Sequence, residues 1–264
     1  MMVCAFAFRI CDLCAVNKKV NVLELFFMKI FLSLPTADGK LEVKTSYSNT
    51  SIRLMLQNSG IPSDETAISN SETVEARNVI AHGFLDSDAT HLLTVDSDMK
   101  VDPMFVKKMI ELRKPFIGVA TPARGIDLEK FYENSRKYDD FQTAYVNTLK
   151  FVGSFSESVD KDAEFIKADY VGGGLVLVSR EVFKSIIESG QVESVGPRHM
   201  ISEFHYGFYN QLWRDELQNY HSEDFSFCER WRRVGGEIWC YVGPGIGHIG
   251  SVMFEGTYRD RSFD

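Results

Sequence analysis

Short apolar runs alternate along this chain with longer segments whose apolar positions recur every three or four residues. The runs at 29–34, 91–95 and 115–120 have the length and the polar boundaries of buried strands. Residues 71–81 and 102–112 have the periodicity of helices that bury one face. This alternation predicts an α/β fold with a mostly parallel, doubly wound sheet flanked by helices.

Local signals place the ends of several elements. Ser71 and Asp102 are candidate N-caps of the two helices, and Pro103 suits the first position of the second one. Residues 125–167 are rich in charge and poor in periodicity, so we expect a long connection over the sheet edge. The remaining predicted elements are a helix at 45–58, a strand at 66–69, a strand that follows the glycines at 172–174, a helix at 223–234 and a strand at 237–242.

Two carboxylates, Asp96 and Asp98, follow the strand at 91–95 directly. Open α/β sheets bind ligands where their strands end, and these two acids are separated by a single residue. Hard oxygen ligands suit Mg²⁺ or Mn²⁺, which often keep open positions for phosphate. The pattern therefore predicts a metal-dependent nucleotide site.

Other segments carry residues suited to chemistry. The glycines at 172–174 precede a strand and lack a following Lys-Ser or Lys-Thr, so they are a close-approach or bulge segment rather than a P-loop. Glu223 and Asp224 begin a helix, where acids also serve as caps stabilised by the helix dipole. His248 stands in a glycine-rich segment that we expect to be flexible, and its imidazole is a suitable third metal ligand.

Composition narrows the function classes. The 264 residues suit one large α/β domain, and the net charge of −8 argues against a broad nucleic-acid surface. The five cysteines lack the spacing of a disulfide framework, which favours a reducing, cytoplasmic location. Cys11 and Cys14 form a Cys-x-x-Cys pair, but a lone pair without a second one is a weak zinc signal.

Residues 1–27 are predicted to be an N-terminal extension, and the folded domain is expected to span 28–264. The extension mixes apolar residues with charges such as Arg9, Asp12 and Glu24. No uninterrupted apolar span reaches the roughly 20 residues of a transmembrane helix. We therefore expect no integral membrane segment.

The order of these motifs resembles the GT-A fold glycosyltransferases, in particular family-two-like enzymes of bacteria and large viruses. The motifs are a Pro-Thr strand end, an Ala-Arg-Asn helix, Asp-Ser-Asp, a glycine-rich strand, a Ser-Glu-Asp helix start and a late histidine. The resemblance covers about 28–251. It implies transfer of a sugar from a UDP- or GDP-sugar to a hydroxyl of a glycan, protein or lipid.

The resemblance also implies roles for the acidic motif. Asp98 is the expected direct ligand of Mn²⁺ or Mg²⁺, with His248 as the late metal-binding histidine. Asp96, counted with them in the metal set, is the expected contact to the ribose or the donor sugar, and Ser97 belongs to the same donor motif.

Further residues are expected around the donor and the acceptor. The first-strand loop would border the base and ribose, an arginine would reach the donor phosphate or sugar, and the glycines would line the sugar pocket. A second arginine follows a strand, where it either faces a phosphate or acceptor or belongs to a surface turn. The loop residues are Pro35, Thr36 and Asp38, and the arginine expected at the donor is Arg77. The glycines are Gly172, Gly173 and Gly174, and the second arginine is Arg124.

Asp224 matches the position of the general base in inverting members, with Glu223 as its neighbouring alternative. A base there would take the proton of the attacking hydroxyl, which contributes roughly 10² to 10⁴-fold in rate. Three alternatives stay open: a haloacid-dehalogenase-like phosphatase, a nucleotidyltransferase, and a non-catalytic module that binds sugar nucleotides. Five aromatic residues are candidates for stacking on sugar rings, although aromatics more often pack in cores: Tyr206, Phe208, Tyr209, Trp213 and Trp231.

Overall fold

The structure is a computed structural model, and it describes residues 28–155, 159–160, 162–195 and 205–261. The predicted extension at 1–27 and the Cys11–Cys14 pair lie outside the described residues.

The described part of the chain forms sixteen strands and seven α-helices. The strands are β1 (Ile30–Thr36), β2 (Ser63–Ser69), β3 (His91–Val95), β4 (Met99–Val101), β5 (Phe116–Val119), β6 (Thr121–Pro122), β7 (Phe151–Phe155), β8 (Phe165–Val171), β9 (Leu175–Ser179), β10 (Ser194–Val195), β11 (His205–Tyr206), β12 (Trp213–Arg214), β13 (Asn219–Tyr220), β14 (Ile238–Tyr241), β15 (Ile246–Ile249) and β16 (Met253–Glu255). The helices are α1 (Val43–Asn58), α2 (Thr73–Asp86), α3 (Pro103–Leu112), α4 (Leu128–Lys137), α5 (Phe141–Val146), α6 (Arg180–Glu188) and α7 (Glu223–Arg233), with a 3₁₀ turn at Tyr258–Asp260.

Nine strands form one large sheet in the order β2-β1-β3-β9-β5-β14-β8-β7-β6. Six of the nine run in one direction, while β6, β8 and β9 run in the other. Most strands are thus co-directional, as predicted, but the sheet is mixed. The reason is that β9 inserts between β3 and β5 and pairs antiparallel with both.

Successive residues of the central strands point to opposite faces of the sheet, and each face carries its own apolar core. Leu92 and Phe116 contribute to one core, whereas their neighbours Leu93 and Ile117 contribute to the other. Helices α2, α6 and α7 cover the first face, and α1 and α3 cover the second. The predicted α/β layering with helices on both faces is therefore confirmed.

A three-stranded sheet, β16-β15-β4, stands beside the large one. Strand β4 begins directly after the Asp-Ser-Asp segment and pairs antiparallel with β15, so that His248 is opposite Met99. The prediction that His248 stands in a flexible segment is wrong, because the glycine-rich residues around it form this ladder.

Two other expectations need correction. Residues 125–167 are not a single long connection, because they contain α4, α5, β7 and the start of β8. Ser71 does not cap α2; its N-cap residue is Glu72, whose backbone N–H donates to Asn70. Asp102 does cap α3 by accepting from the Met104 N–H at 2.8 Å.

Among the helices of the described residues, none combines the length and the apolar character that a membrane crossing requires.

Candidate functional site

The carboxyl ends of β1, β3 and β5 lie at one edge of the sheet, because these strands run in the same direction. The chain turns there immediately after β3. The Asp96 N–H donates to the Gly174 carbonyl at 3.0 Å, and the Ser97 carbonyl accepts from the Glu42 N–H at 3.0 Å. The Asp-Ser-Asp turn is therefore held on one side by the glycine segment and on the other by the residue before α1.

A buried arginine joins two of the predicted acids. Nη2 of Arg77 donates to both carboxylate oxygens of Asp96, at 3.1 and 3.0 Å, and its Nε is 3.5 Å from Oε1 of Glu223. The Arg77 side chain is only 6% exposed. Burial alone would lower the pKa of Arg77, but the negative charges around it, first that of Asp96, raise it. The guanidinium is therefore a permanent cation beneath the site.

Asp96 is in a crowded anionic environment. Burial raises its pKa, Arg77 opposes this rise, and the charges of Asp98 and Glu223 add to it. Since both of its oxygens accept from Arg77, the Asp96 carboxylate is oriented before any ligand arrives.

The glycine segment makes this arrangement sterically possible. A Cβ on Gly173 would lie 2.3 Å from Nη2 of Arg77, and one on Gly174 would lie 3.1 Å from Oγ1 of Thr121. A Cβ on Gly172 would lie 2.8 Å from the Val152 side chain. The three glycines connect β8 to β9, and they leave room for the side chains of the site to approach the backbone.

Asp224 is held against the same segment. Its Oδ2 accepts from the Gly173 N–H at 3.0 Å, and its Oδ1 accepts from the Phe225 N–H at 2.8 Å and from the Ser222 hydroxyl. A carboxylate has about four lone-pair positions, so Oδ2 keeps one for an incoming proton donor. Ser222 is the N-cap residue of α7 by position, but its hydroxyl serves Asp224 rather than a backbone N–H of the helix.

Asp98 and His248 are adjacent. Nε2 of His248 lies 3.2 Å from Oδ2 of Asp98, and Nδ1 of His248 lies 3.0 Å from the Pro122 carbonyl oxygen. Because a carbonyl only accepts, Nδ1 carries the proton and Nε2 faces a carboxylate. A cation bound by both atoms would satisfy that contact.

A second cationic group reaches the same carboxylate. Nη1 of Arg124 donates to Oδ2 of Asp98 at 2.9 Å, and the Arg124 side chain is 54% exposed. Burial alone would raise the pKa of Asp98, but the hydrogen bond from His248 and the charge of Arg124 lower it. The cationic surroundings of Asp98 therefore favour its ionised form.

The Asp98–His248 pair has the chemistry of a divalent-cation site. Two ligands at right angles on an ion with bonds of about 2.1 Å are roughly 3.0 Å apart, close to the observed separation. Metal-binding histidines also donate their other N–H to a carbonyl, as His248 does to Pro122. In the part of the chain that the structure describes, however, no three His, Cys, Asp or Glu side chains gather as a ligand set. Asp96 faces Arg77 instead, so a cation here would take further oxygens from a substrate or from water.

The first-strand loop lies at the same edge of the sheet. Pro35 and Thr36 are buried at the end of β1, and the Thr36 hydroxyl accepts from the Gly39 N–H at 2.6 Å. Asp38 is exposed and pairs with Lys40, and that hydrogen bond lowers the pKa of Asp38. The part of the loop around Asp38 is thus available at the surface for a ligand.

Most of the candidate stacking aromatics are structural. Trp213 is exposed in the β12–β13 hairpin, where its ring lies 4.9 Å from that of Tyr220. The others pack within the protein: Phe208, Tyr209 and Trp231 are core residues, and Tyr206 stacks on His82.

Two participants in the site are not predictable from motifs. Pro122 orients His248 through a backbone carbonyl, which leaves no mark on the side-chain pattern. Ser222 is recognisable as a helix cap, but its contact with Asp224 depends on the conformation of the first turn.

Comparisons with known proteins add little. No family model and no curated protein matches the chain. Among solved structures, it is similar to A197 from STIV, with 9% identity over 87% of this chain and 95% of that chain and a TM-score of 0.42. It is also similar to a glycosyltransferase involved in the glycosylation of the major capsid of PBCV-1, with 13% identity over 61% of this chain and 63% of that chain and a TM-score of 0.27. These scores are too low to establish a shared fold, so the function proposed below rests on the geometry of the chain's own residues.

Proposed function

We propose that the chain is a glycosyltransferase that moves a sugar from a nucleoside-diphosphate sugar to a hydroxyl acceptor, with inversion at the anomeric carbon. Asp98 and His248 would hold Mn²⁺ or Mg²⁺ together with the donor diphosphate. When bound, the ion would neutralise the charge that develops on the departing diphosphate. One observation supports this proposal most strongly: Oδ2 of Asp98 and Nε2 of His248 converge within 3.2 Å at the end of a central strand.

Arg77 acts in this proposal as a positioning residue. With its side chain 6% exposed, it is too deeply buried to serve as a mobile phosphate clamp. Its two hydrogen bonds to Asp96 fix that carboxylate for the ribose or sugar hydroxyls, which bind a carboxylate as donors. The first-strand loop with Pro35, Thr36 and Asp38 would border the base and ribose.

Asp224 is the proposed general base. Its contacts with Gly173, Phe225 and Ser222 fix the carboxylate and leave one lone pair of Oδ2 for the acceptor hydroxyl. A proton acceptor held in this way loses little freedom in the transition state. Glu223 is less suited to the role, because it lies beside the Arg77 guanidinium.

The other enzyme classes make different demands on these residues. A phosphatase of the haloacid dehalogenase type would use the first aspartate of the motif as a nucleophile. Both oxygens of Asp96 instead accept from Arg77, and pairing with a guanidinium lowers the nucleophilicity of a carboxylate. A nucleotidyltransferase and a non-catalytic binding module remain as alternative outcomes of the test.

The test combines two acid-to-amide variants with a panel of UDP- and GDP-sugars. We expect Asp224→Asn to lower transfer by about 10² to 10⁴-fold while Mn²⁺-dependent binding of the nucleoside diphosphate persists. Asp98→Asn should abolish the metal-dependent binding itself. The products are identified by NMR, which also gives the anomeric configuration.

Asp64→Asn is the matched control, since Asp64 is half exposed and pairs with Lys29 near the amino ends of β1 and β2, at the opposite edge of the sheet from these acids. Release of pyrophosphate instead of a nucleoside diphosphate would identify a nucleotidyltransferase. Metal-dependent binding of the nucleotide sugar without any turnover would indicate a non-catalytic binding module. Transfer that persists unchanged in Asp98→Asn would contradict the proposed metal site.

A further inference from the structure

Arg124 and His248 share one carboxylate oxygen. Nη1 of Arg124 lies 2.9 Å from Oδ2 of Asp98, and Nε2 of His248 lies 3.2 Å from the same atom. The position at which a divalent cation would contact Asp98 is thus adjacent to a permanent positive charge that belongs to the protein.

The loop that carries Arg124 is anchored at its backbone. The Ala123 N–H donates to the Lys150 carbonyl at 2.7 Å, and the Gly125 N–H donates to the Ala123 carbonyl at 2.9 Å. The side chain runs close to Gly250, where an added Cβ would lie 3.2 Å from Cδ of Arg124. Since the side chain is 54% exposed, the guanidinium can change partner while the loop stays in place.

Two ligands of the proposed site would act on Arg124 in opposite ways. A divalent cation on Asp98 would repel the guanidinium and compete for the same oxygen. A nucleoside diphosphate would attract it, because the planar guanidinium matches phosphate oxygens in pairs.

We propose that Arg124 changes partner during donor binding: it neutralises Asp98 in the empty site and transfers to the diphosphate when the metal ion and the nucleotide bind together. This inference rests on the proposed function. It makes the affinity for the metal alone low and the affinity for the metal with the nucleotide high. By linkage, the metal ion strengthens nucleotide binding by the same factor.

The electrostatic size of the effect can be bounded. Like charges a few ångströms apart at a half-exposed, salt-screened position change a binding constant by about tenfold. We therefore expect Arg124→Gln to bind Mn²⁺ alone about tenfold more tightly than the unmodified protein. In the same variant, the factor by which UDP or GDP tightens Mn²⁺ binding should be about tenfold smaller than in the unmodified protein.

The experiment measures free Mn²⁺ by electron paramagnetic resonance during titration of the full chain, with and without UDP or GDP. Lys100→Gln is the matched control. It also removes one positive charge, from the neighbouring strand β4, but Lys100 pairs with Glu255 rather than with Asp98. Thermal unfolding of each variant verifies that it folds. We expect Lys100→Gln to behave like the unmodified protein.

The outcomes separate this inference from the proposed function. If Mn²⁺ and a nucleoside diphosphate bind cooperatively, and equally so in Arg124→Gln, the partner exchange is refuted while the proposed function survives. If Arg124→Gln binds Mn²⁺ more tightly but no variant binds UDP or GDP, both are refuted. Tighter binding of Mn²⁺ alone together with weaker cooperativity supports the exchange.

Discussion

Replacing Gly173 by alanine should break the buried contact between Arg77 and Asp96. The added Cβ would lie 2.3 Å from Nη2 and 2.6 Å from Cζ of Arg77, whereas non-bonded atoms rest at about 3.5–4.0 Å. The guanidinium must therefore move by more than about 1 Å, which lengthens both of its hydrogen bonds to Asp96 beyond bonding range.

The cost has two parts. Forcing an extra methyl group into a packed site costs about 1–3 kcal/mol. Breaking a fully buried ion pair from one side costs about 3–5 kcal/mol, but Asp96 is 28% exposed, so water reduces this part to about 1–2 kcal/mol. We expect Gly173→Ala to lower the free energy of unfolding by about 2–5 kcal/mol and to weaken nucleotide binding.

Urea denaturation of a double-mutant cycle measures the coupling. In an Arg77→Ala background the methyl group meets empty space, so Gly173→Ala should then cost less than about 1 kcal/mol. Gly125→Ala is the control, because nothing lies within 4 Å of its Cβ position. Equal costs of Gly173→Ala in both backgrounds, or a cost no larger than that of Gly125→Ala, would refute the steric argument.

Two further predictions concern stability. Arg180 donates to backbone carbonyls at and just after the C-terminus of α2, including those of Phe84 and Ala89, so Arg180→Lys should lower the free energy of unfolding by about 2 kcal/mol in urea denaturation. The control Arg53→Lys, at an exposed ion pair, should change the free energy of unfolding by less than about 0.5 kcal/mol. Burial lowers the pKa of His91 to about 4, so between pH 6.5 and 4 the imidazole is protonated in the unfolded chain but not in the folded one. The free energy of unfolding should therefore decrease by up to about 3 kcal/mol as the pH is lowered through this range. His91→Gln should remove this part of the pH dependence; curves that stay parallel to the unmodified protein would show that His91 does not cause it.

Local signals predict many of the elements well. The Asp102-Pro103 pair marks the start of α3, because the carboxylate caps the helix and the proline needs no N–H bond there. The run at 91–95 is a strand for the same kind of reason: it is apolar, short and bounded by polar residues. These features depend only on neighbours in the sequence.

The other parts of the fold depend on contacts between residues far apart in the sequence, and local patterns do not predict them. The antiparallel insertion of β9 between β3 and β5 cannot be read from its apolar residues, because a strand buried on both faces has the same pattern in either direction. Helices α4 and α5 have no clear apolar periodicity in the sequence because their buried faces are small. Asn134 is the buried residue of α4, and Ala144 and Val146 are those of α5.

In the candidate site, too, the residue types can be predicted from the sequence, whereas their contacts cannot. The sequence identifies Asp98 and His248 as candidate ligands, but their contact depends on the register that sets His248 opposite Met99. The contact of Arg77 with the donor phosphate or sugar stays a prediction. The guanidinium of Arg77 lies between Asp96 and Glu223, which suits it to positioning the Asp96 carboxylate.

The balance of charge connects these observations. Four carboxylates meet at the sheet edge, namely Asp96, Asp98, Glu223 and Asp224, and two guanidinium groups, Arg77 and Arg124, face them. When all six are ionised, their charges sum to −2. Burial is the main cause of the raised pKa of Asp96, and the neighbouring negative charges add to it. A single divalent cation would restore neutrality, and a diphosphate would then require the positive charge that Arg124 can release from Asp98. If the site binds no divalent cation, the remaining way to relieve the charge is protonation, and nucleotide binding should then strengthen as the pH falls rather than on addition of Mn²⁺.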